Sequence, residues 1–159
     1  MDLYSTHLDV LRTIFSNVKI ETVLEFGTGL YSTKFFVENS KKITSIEMQD
    51  EIWLNKVNES IKNENWTPIL CLGELSFKNL TYNEHYDLCF VDGVNRAECI
   101  NFMENKTDII VAHDTEIGCM WYPHVNLSSD YLKFDYRKVV PNTTVWTKNK
   151  ELIEILNKL

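Results

Sequence analysis

The residues best suited to chemistry recur in one pattern. Five short apolar runs each end in a carboxylate: Glu25, Glu47, Glu74, Asp92 and Asp114. The five glycines of the chain fall beside them, Gly27 and Gly29 after the first run, Gly73 after the third, Gly93 after the fourth and Gly118 beyond the fifth. Carboxylates gathered on one rim repel each other, so the pattern points to something cationic, hydroxyl-rich or metallic held there. Any single position has a plainer use, since acids cap helix starts and glycines make turns. Recurrence at five successive runs is what favours a site.

Two of these features combine. Gly27-Thr28-Gly29 carries a G-x-G turn, with Ser32 where a dinucleotide-binding turn has its third glycine. Glu47 follows twenty residues after Gly27, the spacing at which a carboxylate accepts hydrogen bonds from ribose hydroxyls. The pair reads as a nucleoside-binding site, with Gly27 and Gly29 letting the backbone approach the ligand and Thr28 or Ser32 holding a polar end of it. His113 precedes Asp114 and is a candidate base, because imidazole titrates near about 6.5 when unperturbed. Arg96 is placed to hold an acidic substrate or to pair with a neighbouring carboxylate.

The elements that must position these residues follow from hydrophobic periodicity. Residues 5–18 read as a helix with Leu8, Leu11, Ile14 and Phe15 on one face and Ser5 or Thr6 as its cap. Strands are expected at 21–26, 42–47, 67–72, 86–91 and 108–113, with helices at 31–38, 50–62 and 96–104. The strand runs are apolar throughout, as in a parallel sheet covered on both faces, and right-handed crossovers then give a doubly wound α/β layer. Two more β-prone runs, 132–139 and 143–147, are separated only by Val140-Pro141-Asn142, which permits a hairpin but no parallel crossover. The expected fold is α/β, mostly parallel, with a C-terminal antiparallel hairpin. Residues 115–130, with Trp121, Tyr122 and His124, are long for a connector and are expected to form a lid.

Composition sets the outer bounds. At 159 residues the chain is expected to be a single domain, 1–159, whose first 19 residues form the N-terminal helical segment. A formal net charge of −7 argues against a general nucleic-acid or anionic-membrane binder. No stretch approaches the roughly 20 apolar residues of a membrane span, and the start lacks a secretory pattern, so a cytoplasmic location is expected. Cys71, Cys89, Cys99 and Cys119 form no C-x-x-C pair and read as reduced thiols.

Assembled in this way, the chain resembles the Rossmann-like (class I) S-adenosylmethionine-dependent methyltransferases, most of all their small-molecule O-methyltransferase branch with its catechol and sugar enzymes. The matching pieces are Val23-Leu24-Glu25-Phe26-Gly27-Thr28-Gly29, Ser45-Ile46-Glu47, Leu72-Gly73-Glu74, Tyr86 through Gly93, and Ile110-Val111-Ala112-His113-Asp114. The resemblance covers about residues 20 to 147. It implies S-adenosylmethionine as cofactor, with Glu25 and Gly27 at its methionine end, Glu47 at the ribose, Glu74 at the adenine amine and Asp92 beside the sulfonium. It implies Mg²⁺ on Asp92 and Asp114, although the family's Asp-Asn pair reads Asp114-Thr115 here and Glu116 is the candidate substitute. The catalytic candidates are Asp92, His113 and Asp114, acting on a small hydroxylated acceptor such as a sugar. A thin substrate cover allows a homodimer, and neither nucleic acid nor membrane is expected as partner. The competing readings are a non-catalytic nucleoside-binding module and, with Ser32 and the terminal hairpin against it, a nicotinamide-dependent oxidoreductase.

Overall fold

A computed structural model describes residues 3–73, 75–116 and 118–159. Seven strands, β1 (Thr22–Phe26), β2 (Lys42–Glu47), β3 (Trp66–Leu70), β4 (Leu88–Val91), β5 (Ile109–His113), β6 (Leu132–Tyr136) and β7 (Thr143–Thr147), form one sheet in the order β3-β2-β1-β4-β5-β7-β6. Only β7 runs against its neighbours, pairing antiparallel with β5 and β6. The expected doubly wound sheet with a closing antiparallel pair is what forms.

Period-two alternation explains how the sheet is covered. Val23, Phe90 and Val111 project to one side, into a core with Val10, Leu11 and Ile14 of α1 (Leu8–Asn17), Phe36 of α2 (Ser32–Asn39), Val57 of α3 (Glu51–Ser60) and Leu152 of α5 (Lys150–Leu156). Leu24, Cys89, Val91 and Ile110 project to the other, against Ile100 of α4 (Arg96–Phe102) and against Phe77, Met103 and Trp146. Burial on both faces is why these strands read as continuous apolar runs. Strand order reverses between β1 and β4, so the carboxyl ends of those two strands flank the crevice where open α/β sheets bind ligands.

Three departures from the expected elements have local causes. Helix α1 begins at Leu8 after a 3₁₀ turn at Leu3–Ser5, and neither Ser5 nor Thr6 caps it, because the Thr6 hydroxyl is bonded to His113 and Pro141 instead. Strand β4 begins at Leu88, and the carboxylate of Asp87 turns back to accept from the amides of Glu21 and Thr22. Helix α5 was not expected; Asn149 caps it by accepting from Leu152 N at 3.1 Å, and Leu152 and Leu156 are buried.

Within the stretch expected as a lid, 115–130, residues 124–128 are fastened to α4 and to Glu104 just beyond it. Asn101 Nδ2 donates to His124 O, Asn126 N donates to Asn101 Oδ1, and Ser128 N donates to Glu104 Oε1. Cys71, Cys89 and Cys99 are buried free thiols and Cys119 is partly exposed. Among the described residues no helix is long and apolar enough to cross a membrane.

Candidate active site

The turn after β1 is built for close approach. Gly27 has φ +88°, and a Cβ there would lie 2.6 Å from both Cα and N of Gly93. Only glycine satisfies both the left-handed backbone and the contact. The ends of three strands are knitted at this point, since Gly27 N donates to Ile46 O at 2.9 Å and Asp92 N to Phe26 O at 2.8 Å.

Glu25 lies beneath the turn, fully buried. Its Oε1 accepts from Ser32 Oγ at 2.7 Å, and its Oε2 from Thr33 Oγ1 at 2.7 Å and Ser45 Oγ at 2.6 Å. Thr33 Oγ1 itself receives Gly29 N, and Ser45 Oγ receives Trp66 Nε1, so both spend their single hydrogen on Glu25. The carboxyl supports the turn from inside, and its oxygens are committed to that framework. Burial pushes its pKa up from 4.5 to about 7, against the three hydroxyl bonds.

A sign follows for stability. Between about 4.5 and 7 the folded chain keeps a proton on Glu25 that the unfolded chain has released. Stability therefore falls as pH rises through that window, by about 3 kcal/mol from this group. Glu25→Gln mimics the protonated form, with its amide donating to Ser32 Oγ. Urea melts at pH 5 and pH 8 should show wild type losing more stability over that interval than Glu25→Gln; parallel changes in the two chains would contradict this account.

Glu47 is buried at the end of β2, with Oε2 accepting from Thr28 N at 3.1 Å and Thr28 Oγ1 at 2.7 Å, and Oε1 from the amides of Met48 and Gln49. These four donors use the carboxylate's lone pairs, and only the Thr28 hydroxyl can rotate away to make room for a diol. Trp53 Nε1 donates to Thr28 O at 2.7 Å, which fixes the indole beside the turn. A hollow of about 330 Å³ is lined by Gly27, Thr28, Glu47, Trp53 and Asp92. A second, of about 480 Å³, lies among His7, Gly29, Ser32, Trp53 and Asp92. A third, of about 350 Å³, is lined by Tyr4, Asp92, Arg96, His113 and Asp114. Asp92 borders all three.

Around Asp92 the charges interlock. Arg96 Nη2 donates to Asp92 Oδ1 at 3.0 Å and to Asp114 Oδ2 at 2.7 Å, and its guanidinium lies over the Trp121 ring at 5.8 Å. His113 Nδ1 lies 3.2 Å from Asp92 Oδ2 and 3.5 Å from Asp114 Oδ1. Burial works against ionisation of Asp92, but the hydrogen bond and charge of His113 and the charge of Arg96 outweigh it and hold the carboxyl below the usual carboxylate range. Asp114 is shifted the other way, by burial and then by the charge of Asp92. Asp114 also adopts a left-handed φ of +56°, a conformation that non-glycine residues adopt at some cost.

This arrangement corrects the expectation of Mg²⁺ on Asp92 and Asp114. The Arg96 guanidinium already spans the two carboxylates with one bond to each and sets a positive charge between them, where an oxygen-ligated dication would need both. The flanking candidates are committed too: Thr115 Oγ1 donates to Thr144 Oγ1 at 2.9 Å, since Thr144 gives its own hydrogen to Asp135 Oδ1, and Glu116 Oε1 accepts from Asn142 N at 2.7 Å. The residues present do not fit that ion.

Thus Gly27, Thr28, Gly29, Ser32, Glu47 and Asp92 line adjoining hollows, His113 and Asp114 join them through Asp92, and Glu25 stays beneath. Glu74 lies outside the described residues. Sequence reasoning missed Thr6 and His7. His7 sits one turn before Leu11 on the apolar face of α1, a polar residue on a buried stripe, and that spacing was the available signal. A further hollow of about 270 Å³, near Ile20, Asp87 and Ile109, lies at the opposite edge of the sheet.

No family model and no curated sequence matches the chain. Solved structures do match its fold. Spermidine synthase from Thermotoga maritima superposes with a TM-score of 0.67 at 11% identity, over 97% of this chain and 62% of its own. This chain therefore spans less than two thirds of that relative. The N-methyltransferase NodS from Bradyrhizobium japonicum, in complex with S-adenosyl-L-homocysteine, superposes at 0.58 with 14% identity, over 88% of this chain and 83% of its own. TYW2 from M. jannaschii, in complex with AdoMet, superposes at 0.57 with 14% identity, over 92% and 76%. The fold is that of the Rossmann-like methyltransferases.

Proposed function

We propose that this chain transfers a methyl group from S-adenosylmethionine to a hydroxyl of a small acceptor, a sugar or similar polyol. The observation that carries the reading is the hollow bounded jointly by Gly27, Glu47 and Asp92. Its position at the strand-order reversal agrees, as do structural neighbours in complex with S-adenosyl-L-homocysteine and AdoMet. When bound, S-adenosylmethionine supplies a methyl made electrophilic by a sulfonium. Glu47 holds the ribose diol once the Thr28 hydroxyl turns aside, Gly27 and Gly29 admit the ligand to the backbone, and anionic Asp92 faces the positive charge. Ser32 borders the neighbouring hollow at the methionine end.

The acceptor belongs in the hollow edged by Tyr4, Arg96 and His113. Alignment is the chief contribution of such a site, worth as much as about 7–11 kcal/mol. With its own hydrogen on Nδ1, donated to Asp92, His113 takes the acceptor hydroxyl's proton at Nε2 once Thr6 turns aside from that atom.

Glu47→Ala removes the ribose acceptor, and affinity for S-adenosylmethionine should fall at least about tenfold, the worth of one charge-assisted hydrogen bond. Equilibrium dialysis on the two chains checks it; equal affinities would remove Glu47 from the site. The reading itself is tested with methyl-labelled S-adenosylmethionine and a panel of sugars, polyols, catechols and amines. Label recovered as a methyl ether supports it, whereas label only on nitrogen overturns the hydroxyl acceptor. The full pairing of Asp92, Asp114 and His113 favours the second reading, a non-catalytic binding module. Cofactor binding with no label transferred would select that one.

A further inference from the structure

We infer that His7, Asp92 and His113 form a binding site for a divalent transition-metal ion of the zinc or cobalt type. One ligand atom from each lies within 4.8 Å of the other two, and the three come from the start of α1 and the ends of β4 and β5. This set differs from the Asp92–Asp114 pair: two imidazoles and one carboxylate oxygen suit a borderline metal and disfavour Mg²⁺. In an assembled site with bonds of about 2.1 Å, neighbouring donors stand about 3–3.5 Å apart. His113 Nδ1 and Asp92 Oδ2 are already at 3.2 Å, so the adjustment falls on the His7 ring.

Three observations converge on a ligand. His7 is 1% exposed, yet neither of its ring nitrogens has a hydrogen-bond partner among the described residues. Its ring meets His113 edge-on, with centroids 4.8 Å apart. A buried imidazole with both nitrogens unsatisfied is costly, and a metal bond at one of them relieves it.

The second observation is that Thr6 can support the His113 tautomer a metal needs. Thr6 Oγ1 lies 2.8 Å from His113 Nε2 and donates its one hydrogen to Pro141 O at 2.9 Å. In that state Thr6 must accept from Nε2–H, which leaves Nδ1 for either a second proton or a metal. An outer hydroxyl fixing the distal N–H is the support that metal-bound histidines ordinarily have. The third is Arg96, which takes Asp92 Oδ1 and leaves Oδ2 to face the histidines. Metal at Nδ1 and proton acceptance at Nε2 are alternatives for one ring, so occupancy and base chemistry at His113 exclude each other.

The test uses the full chain, reduced and stripped of metal, without cofactor or acceptor, so its outcome is separate from that of methyl transfer. Titration with Co²⁺ should give one equivalent of visible d–d absorption and no thiolate charge-transfer band, reversed by Zn²⁺ and not by Mg²⁺. His7→Leu should abolish the signal while keeping the far-ultraviolet circular dichroism spectrum. Thr6→Val should weaken binding by about 10–100-fold. If His7→Leu fails to fold, paramagnetic shifts of the His7 and His113 ring protons in the wild type decide the same point. No stoichiometric uptake, a thiolate band placing the ion at a cysteine, or unchanged uptake in His7→Leu would each overturn the site.

Discussion

Gly27→Ala is expected to destabilise the chain by at least about 3 kcal/mol and to remove cofactor binding with it. Two separate effects add. An alanine at φ +88° is in a backbone region that L-residues enter at a cost of about 1–2 kcal/mol. The new methyl would also stand 2.6 Å from Gly93 Cα and N and 2.8 Å from Asp92 C. All three are backbone atoms, so no side chain can rotate aside, and the ends of β1 and β4 must part. Gly118→Ala is the control, because Gly118 also has positive φ (+100°) but a Cβ there meets nothing within 4 Å. Urea unfolding should show a loss of about 1 kcal/mol for Gly118→Ala and a much larger one for Gly27→Ala. Similar losses for the two would mean that the β1–β4 approach carries no energy.

Asp92→Asn should lower turnover at least about 100-fold on the proposed reaction, with a smaller effect on folding. Asp92 accepts from two donors, Arg96 Nη2 at 3.0 Å and His113 Nδ1 at 3.2 Å. An asparagine offers one acceptor and one donor. Arg96 cannot accept, so the amide oxygen goes to Arg96 and the amide nitrogen faces His113 Nδ1. The ring must then carry its proton on Nε2, the atom needed to take the acceptor's proton, and that route closes. Single-turnover rates at saturating cofactor separate this from weakened binding. A kcat within a few-fold of wild type would take the Asp92–His113 pair out of the chemistry.

Much of this architecture was legible because its signals are local. Buried parallel strands such as Leu88–Val91 and Ile109–His113 are apolar at every position but the closing His113, and the acids that follow them are adjacent in sequence. Gly27 and Glu47 come to line one hollow because β1 and β2 are neighbouring parallel strands in direct register. What stayed hidden rests on distant partners. Thr6 looks like a helix cap, but its hydroxyl is claimed by His113, 107 residues away. Arg96 and Asp92 form a readable i,i+4 pair, whereas the second bond of Arg96, to Asp114, depends on how β4 and β5 align. That second bond is why the two carboxylates do not suit the expected Mg²⁺. Helix α5 escaped because it is only seven residues long and follows β7 after two residues, so its stripe of Leu152 and Leu156 merges with the strand pattern.

The central claim is that the rim joining Gly27, Glu47 and Asp92 holds an adenosine carrying a sulfonium. Isothermal titration calorimetry of the folded chain with S-adenosylmethionine, and separately with S-adenosylhomocysteine, tests it most directly. The account predicts saturable one-to-one heats with both, greatly reduced in Glu47→Ala. Absence of heat with either compound, confirmed at two temperatures to exclude a cancelling enthalpy, would contradict it.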